Sequence, residues 1–241
     1  MKRFFTLTAA VASLTTLIAF TPANADQLSD SPVKKPTLFN EIYVPGGFDN
    51  NDVVQIVGEG MFRNTCYRPG PANAVVDQKN FTVTLHATAY EYSGICLQMI
   101  LPFERTLDVG ILKDGTYKVF QNGELLDTFK VAKAGSFQPD DHLYAPISQA
   151  FFRQEGNVSK VLLNGEFCSD CMKIDRIQTA VEKKVLVIQP IISMEERGNC
   201  KAGKFPFNAT AKIENVPQGR YLLHVRSMNA KAVNNLVDVK Y

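Results

Sequence analysis

"GMFRNTC" at residues 60–66 and "GEFCSDC" at residues 165–171 share Gly, Phe and the final Cys, and the match runs on in both directions. Downstream, Gly94-Ile95-Cys96 lies over Gly198-Asn199-Cys200 and Pro102-Phe103 over Pro206-Phe207. Thr106, Gly115 and Tyr117 fall on Thr210, Gly219 and Tyr221. Upstream, Tyr43-Val44-Pro45 answers Tyr144-Ala145-Pro146. Matches that keep their order with small gaps mark an internal repeat, here two units of about 100 residues, a common domain size. The first unit is placed at 39–131 and the second at 143–241. The Gly/Ser/Pro/Asp-rich "AKAGSFQPDDH" of 132–142 is read as a linker, and 26–38 as a flexible N-terminal segment.

Within each unit the period is that of strands. In "NFTVTLHATAY" (80–90), Phe81, Val83, Leu85, Ala87 and Ala89 alternate with Thr82, Thr84, His86 and Thr88, so one face is buried and the other wet. "TYKVFQNGELLDTFKV" (116–131) reads as a hairpin turning at Asn122-Gly123, a dipeptide suited to a tight type I′ turn. The chain is expected to be all-β.

The first 25 residues have the layout of a cleavable bacterial signal peptide: Lys2 and Arg3, a short apolar run, then Ala23 and Ala25 at an Ala-x-Ala site. Cleavage after Ala25 predicts a secreted or periplasmic protein with no integral membrane segment. Lys2 and Arg3 also account for the whole net charge of +2. A neutral mature chain without a basic run gives no footprint for nucleic acid.

An oxidising compartment and one equivalent cysteine pair per unit predict two disulfides, Cys66 to Cys96 and Cys171 to Cys200. Cys168 is left over as a candidate free thiol, and the first unit has Arg63 in its place. The alternative is that Cys168, Cys171 and Met172 form a thiol-redox or copper-type site, since soft sulfur ligands suit Cu(I).

"LKDGTYKV" (112–119) resembles the Leu-x-x-Gly-x-Tyr-x-Val signature at the tyrosine corner of immunoglobulin and fibronectin type III domains, and "VPQGRYLL" (216–223) repeats it. The resemblance implies two tandem immunoglobulin-like β-sandwiches, similar to the tandem repeats of secreted bacterial proteins. It also implies that Tyr117 and Tyr221 close their cores and bond back to nearby backbone. The second Cys of antibody domains is replaced by Val119 and Leu223, and the chain has no Trp. A prealbumin-like sandwich could carry the same Gly-x-Tyr strand, so the strand order stays open.

Candidate chemistry is sparse. His86 and His224 alternate onto the faces opposite their cores and are expected on the surface. Asp49 to Asp52 and the stretch from Pro139 to His142 have the residue types of hard metal sites but read as turn and linker. "YEYSG" (90–94) becomes "MEERG" (194–198) in the second unit, which makes Tyr90 and Tyr92 a possible binding loop. The function expected is a non-enzymatic binding or structural module without a cofactor. Its partner would be an exported protein, a second copy of the chain or an envelope glycan.

Overall fold

The computed structural model describes residues 31–135, 142–196 and 198–240. The expected leader at 1–25, Pro139 to Asp141 of the linker, and Arg197 lie outside the described residues. The first copy contains β1 (Val33–Thr37), β2 (Glu41–Tyr43), β3 (Val53–Phe62), β4 (Tyr67–Asp77), β5 (Thr82–Glu91), β6 (Leu101–Ile111), β7 (Gly115–Gln121) and β8 (Glu124–Val131). The second contains β9 (Ile147–Glu155), β10 (Val158–Ser169), β11 (Met172–Glu182), β12 (Val185–Met194), β13 (Ala202–Glu214), β14 (Gly219–Ser227) and β15 (Lys231–Val239).

Both copies are built alike, as two tandem immunoglobulin-like sandwiches. One sheet runs β2-β3-β6 in the first copy, and β9-β10-β13 is its counterpart in the second. The facing sheets place β4 beside β5, β5 beside β7 and β7 beside β8, matched by β11-β12-β14-β15. In each, the strand carrying the Gly-x-Tyr signature pairs in parallel with the strand two before it, β5 with β7 and β12 with β14. That pairing departs from the all-antiparallel immunoglobulin order. A parallel neighbour needs a crossover, and the crossovers are β6 and β13 in the opposite sheets.

The motif that exposes the repeat has a packing cause. Gly60 sits directly across from Phe103, and Gly165 across from Phe207. A Cβ on either glycine would lie within 2.5 Å of the opposing phenylalanine ring, so only glycine admits the ring over the strand. The Phe of each "Gly-x-Phe" then stacks on that same ring, Phe62 on Phe103 at 4.3 Å and Phe167 on Phe207 at 4.1 Å.

Two cores result. The first gathers Val54, Ile56, Val83, Leu85, Tyr117 and Val119, and the second Val161, Leu163, Leu186, Ile188, Tyr221 and Leu223. The β7–β8 hairpin turns at Asn122 and Gly123, both at positive φ (49° and 82°), as a type I′ turn requires.

One expectation needs correcting. Residues 26–38 are not wholly a trailing segment, because Val33–Thr37 pair with β5 from Val33↔Glu91 to Thr37↔Ala87. β7 covers β5 only from Thr82 to Leu85, which leaves the far end of β5 open for β1 to complete. Lys35 reinforces the pairing with an ion pair to Glu91.

Candidate interaction surface

Residues 32–241 form one compact unit. Its two sandwiches meet through sheet faces that strand periodicity alone assigns to solvent. Tyr43 and Val57 of the first copy pack with Val185, Val187 and Leu222 of the second in a separate apolar cluster. β14 is therefore buried on both faces from Tyr221 to Ser227.

His224 is the clearest correction to the sequence reading. Its side chain does point away from the core of its own sandwich, but the first sandwich covers it and leaves it 1% exposed. Its Nδ1 lies 2.7 Å from Asn234 Oδ1, an acceptor, so Nδ1 carries the proton. Burial, with the Arg226 charge adding to it, lowers the His224 pKa to about 3 against the support of Asn234. Asn234 hands the chain on to Gln55, which donates to Asp108.

Asp49 to Asp52 form a turn, as read, but its purpose is internal. Asp49 N–H donates to Asp52 Oδ2 at 2.9 Å, and Asn51 N–H to Asp49 Oδ1 at 2.9 Å. Arg226 reaches across from the second sandwich and donates to Asp52 Oδ2 at 3.0 Å, Tyr144 Oη at 2.9 Å and the Gly46 carbonyl at 3.1 Å. Its guanidinium also lies 4.3 Å from the centroid of Phe48. The Asp52 carboxylate thus serves the joint.

At the far end of each sandwich a disulfide lashes one loop to another: Cys66 to Cys96, and Cys171 to Cys200. Three of the hydrogen bonds around one recur around the other. Tyr92 N–H donates to the Cys66 carbonyl as Glu195 N–H does to that of Cys171, and Thr65 N–H to the Leu97 carbonyl as Asp170 N–H to that of Lys201. Leu97 N–H donates to Thr65 Oγ1 as Lys201 N–H does to Asp170 Oδ1.

What the brackets hold differs. The first loop displays Ile95, wholly exposed, with Leu97 at 66% and Ile100 at 69%, alongside Tyr92 and Met99. The second displays Glu196, Asn199 and Lys201. Residues 56–131 are similar to the ORF11 beta-sandwich domain. The stretch similar to the ORF11 beta-sandwich domain runs from within β3 to the end of β8 and includes both ends of the Cys66–Cys96 bridge and the whole apolar loop. No curated protein and no solved structure matches the chain.

Beside that loop, still partly within the ORF11-like stretch, a groove of ≈ 510 Å³ opens along the seam between the sandwiches. Met61, Ile100 and Pro102 give it an apolar wall, and Glu59 and Arg220 close its floor. Arg220 donates twice to Glu59, from Nη2 to Oε1 at 2.6 Å and from Nε to Oε2 at 3.1 Å, and contacts Asp238 at 3.4 Å. Tyr43 Oη donates to Glu59 at 3.2 Å, and burial near that carboxylate pushes the tyrosine's pKa up to about 12. Across from Glu59 on β6 stands Glu104, half-buried, its pKa raised by burial and then by the Glu59 charge.

The remaining candidates are scattered. Tyr92 belongs to the apolar loop, whereas Tyr90 lies within the sheet between Lys34 of β1 and Arg68 of β4. Cys168 is exposed and free, with its Sγ 3.5 Å from Met172 Sδ. Cys171 is held by Cys200. His86 and His142 are exposed. Tyr117 is fully buried between Phe81 and Phe129; burial raises its pKa, an effect the backbone of Lys113 opposes. Tyr221 is buried in the second core.

Sequence reading missed the joint and the acid pair. One signal was present: "VLVI" at 185–188 is a continuous apolar run, which marks a strand buried on both faces.

Proposed function

We propose that the mature chain is an exported, non-enzymatic binding module in which the second sandwich braces the first and the first presents the disulfide-lashed apolar loop 92–100 to another exported protein. The observation that carries this reading is the wholly exposed Ile95, flanked by exposed Leu97 and Ile100, on a loop held by a disulfide and three hydrogen bonds. Apolar surface held rigidly outward marks an interaction site. Rigidity also lowers the ordering cost of binding. Export is supported by the leader's layout and by two disulfides, which persist in oxidising compartments. Among the described residues no helix is long and apolar enough to cross a membrane. The groups best suited to chemistry, His224, Arg226 and Asp52, are engaged in the joint.

The test is a photo-crosslinking amino acid placed at Ile95 in the living cell, with exposed Val75 on β4 as the control position. A discrete heteromeric adduct from position 95 and none from 75 is expected. Equal, diffuse adducts from both positions would discard the reading.

A second reading, thiol or soft-metal handling, rests on the contact between Cys168 and Met172. With Cys171 bonded to Cys200, it reduces to those two sulfurs. Protection of Cys168 from alkylation by Cu(I), lost in Met172→Leu, would favour it. Equal protection in the two proteins would leave only an ordinary surface thiol.

A further inference from the structure

The binding-module reading leaves open what kind of partner the surface selects, and the outer face of the β3–β6 pair answers that. Met61 and Pro102 are cross-strand partners, as are Glu59 and Glu104, so these four side chains share one face. Two residues along a strand is about 7 Å, so the face offers an apolar patch and then an acid at the repeat of an extended chain. Ile100 and the tip of loop 92–100 continue the apolar patch outward.

The acid is the informative part. Arg220 is committed to Glu59 and Asp238. Glu104 makes no side-chain hydrogen bond or ion pair among the described residues, although it is half-buried in a pocket that adjoins the groove and shares Glu59, Pro102 and Arg220 with it. Lys184 and Glu41, which also line the groove, pair with each other; Glu59, Asp238 and Glu104 are left to one guanidinium, and the surplus negative charge sits beside the apolar wall. An anionic lipid surface would be repelled. A lysine or arginine side chain fits, because its aliphatic stem can lie along Met61, Ile100 and Pro102 while its charged head reaches Glu104.

We propose, resting on the binding-module reading, that this groove takes an extended segment of a partner protein in which a Lys or Arg next to apolar residues pairs with Glu104. The cation would relieve the crowding of Glu104 against Glu59, while the neighbouring apolar side chains cover Ile100 and loop 92–100.

The probes are three fluorescent peptides of about ten residues, long enough to span the face when extended, in which Leu and Lys, Leu and Gln, or Leu and Glu recur two residues apart with Ser between them, so that both types fall on one face. Each is titrated with the mature chain and followed by anisotropy. The Leu–Lys peptide is expected to bind best. Glu104→Gln should weaken it about fivefold, the size of one partly exposed ion pair, and bring it level with Leu–Gln. Glu104→Lys should turn the preference toward Leu–Glu.

If all three peptides bind alike and Ile100→Ser weakens them equally, the apolar module stands and the charge reading is overturned. If none binds more tightly than to Ile95→Ser, the binding-module reading itself fails at this surface. Ile95-dependent dimerisation of the chain alone, or Ile95-dependent sedimentation with phosphatidylglycerol vesicles, would overturn the proposed occupant in favour of a second copy or a lipid surface.

Discussion

β7 and β14 occupy the same place in the two copies and begin with the same Gly-x-Tyr, yet they live in different surroundings. On β7 the residues between the core positions, such as Lys118, face water. On β14 the equivalent positions, Leu222 and His224, are as buried as the core itself, because the β2-β3-β6 sheet of the first sandwich lies over them. The disulfide-lashed loops reverse the asymmetry: the first copy keeps its apolar loop exposed, and the second has a polar one. The duplicated fold fixes the frame of each copy, and the residues outside the frame give one copy the joint and the other the display.

That contrast breaks most readily at the joint. Arg226→Ala would leave Asp52 buried without its guanidinium and should cost about 3 to 5 kcal/mol of unfolding free energy, against under about 0.5 kcal/mol for Lys118→Ala on the wet strand. Equal costs by urea denaturation would remove the claim that β14 is buried twice.

The brackets come next. Each disulfide closes a loop, with sequence separations of 30 and 29 residues, so replacing either pair by serine should cost about 3 to 4 kcal/mol. Because the loops are nearly equal in length and three hydrogen bonds recur in both brackets, the two losses should be similar. A large inequality would show that the loops, not the brackets, carry the stability.

Acid probes the joint more gently. His224 stays neutral in the folded protein, while in the unfolded chain it takes up a proton near its ordinary pKa of 6.5. Its contribution is therefore complete above pH 6.5 and is lost as the pH falls toward 3, about 2 kcal/mol by pH 5. The stability profile of His224→Gln should be flatter over that range.

The smallest effect on stability belongs to the display. Ile95→Ser should shift unfolding by under about 0.5 kcal/mol yet lower the binding of an environment-sensitive apolar dye, while Asn199→Ser in the second loop should change neither. A stability loss at Ile95 would mean that the loop packs in solution and is not held out for a partner.

Much of this was legible in the chain. Strand alternation marked β5 face by face, Asn122-Gly123 located the β7–β8 turn, and the repeat paired the cysteines by position. The glycines at 60 and 165 stood out before their cause, an aromatic ring laid across each, could be seen. By contrast, His224 was misplaced, β1 was left in a flexible segment, and Glu59, Glu104 and Arg220 drew no notice.

The division has a physical reason. Period, turn chemistry and duplication are local properties of the chain, so the sequence by itself determined two sandwiches of one design. Which outer faces meet depends on surfaces brought together from residues far apart in the chain, as Arg226 is from Asp52. Only the tertiary structure could therefore decide that one polar face is a joint, that a lone carboxylate stands over a groove, and that an apolar loop is left uncovered.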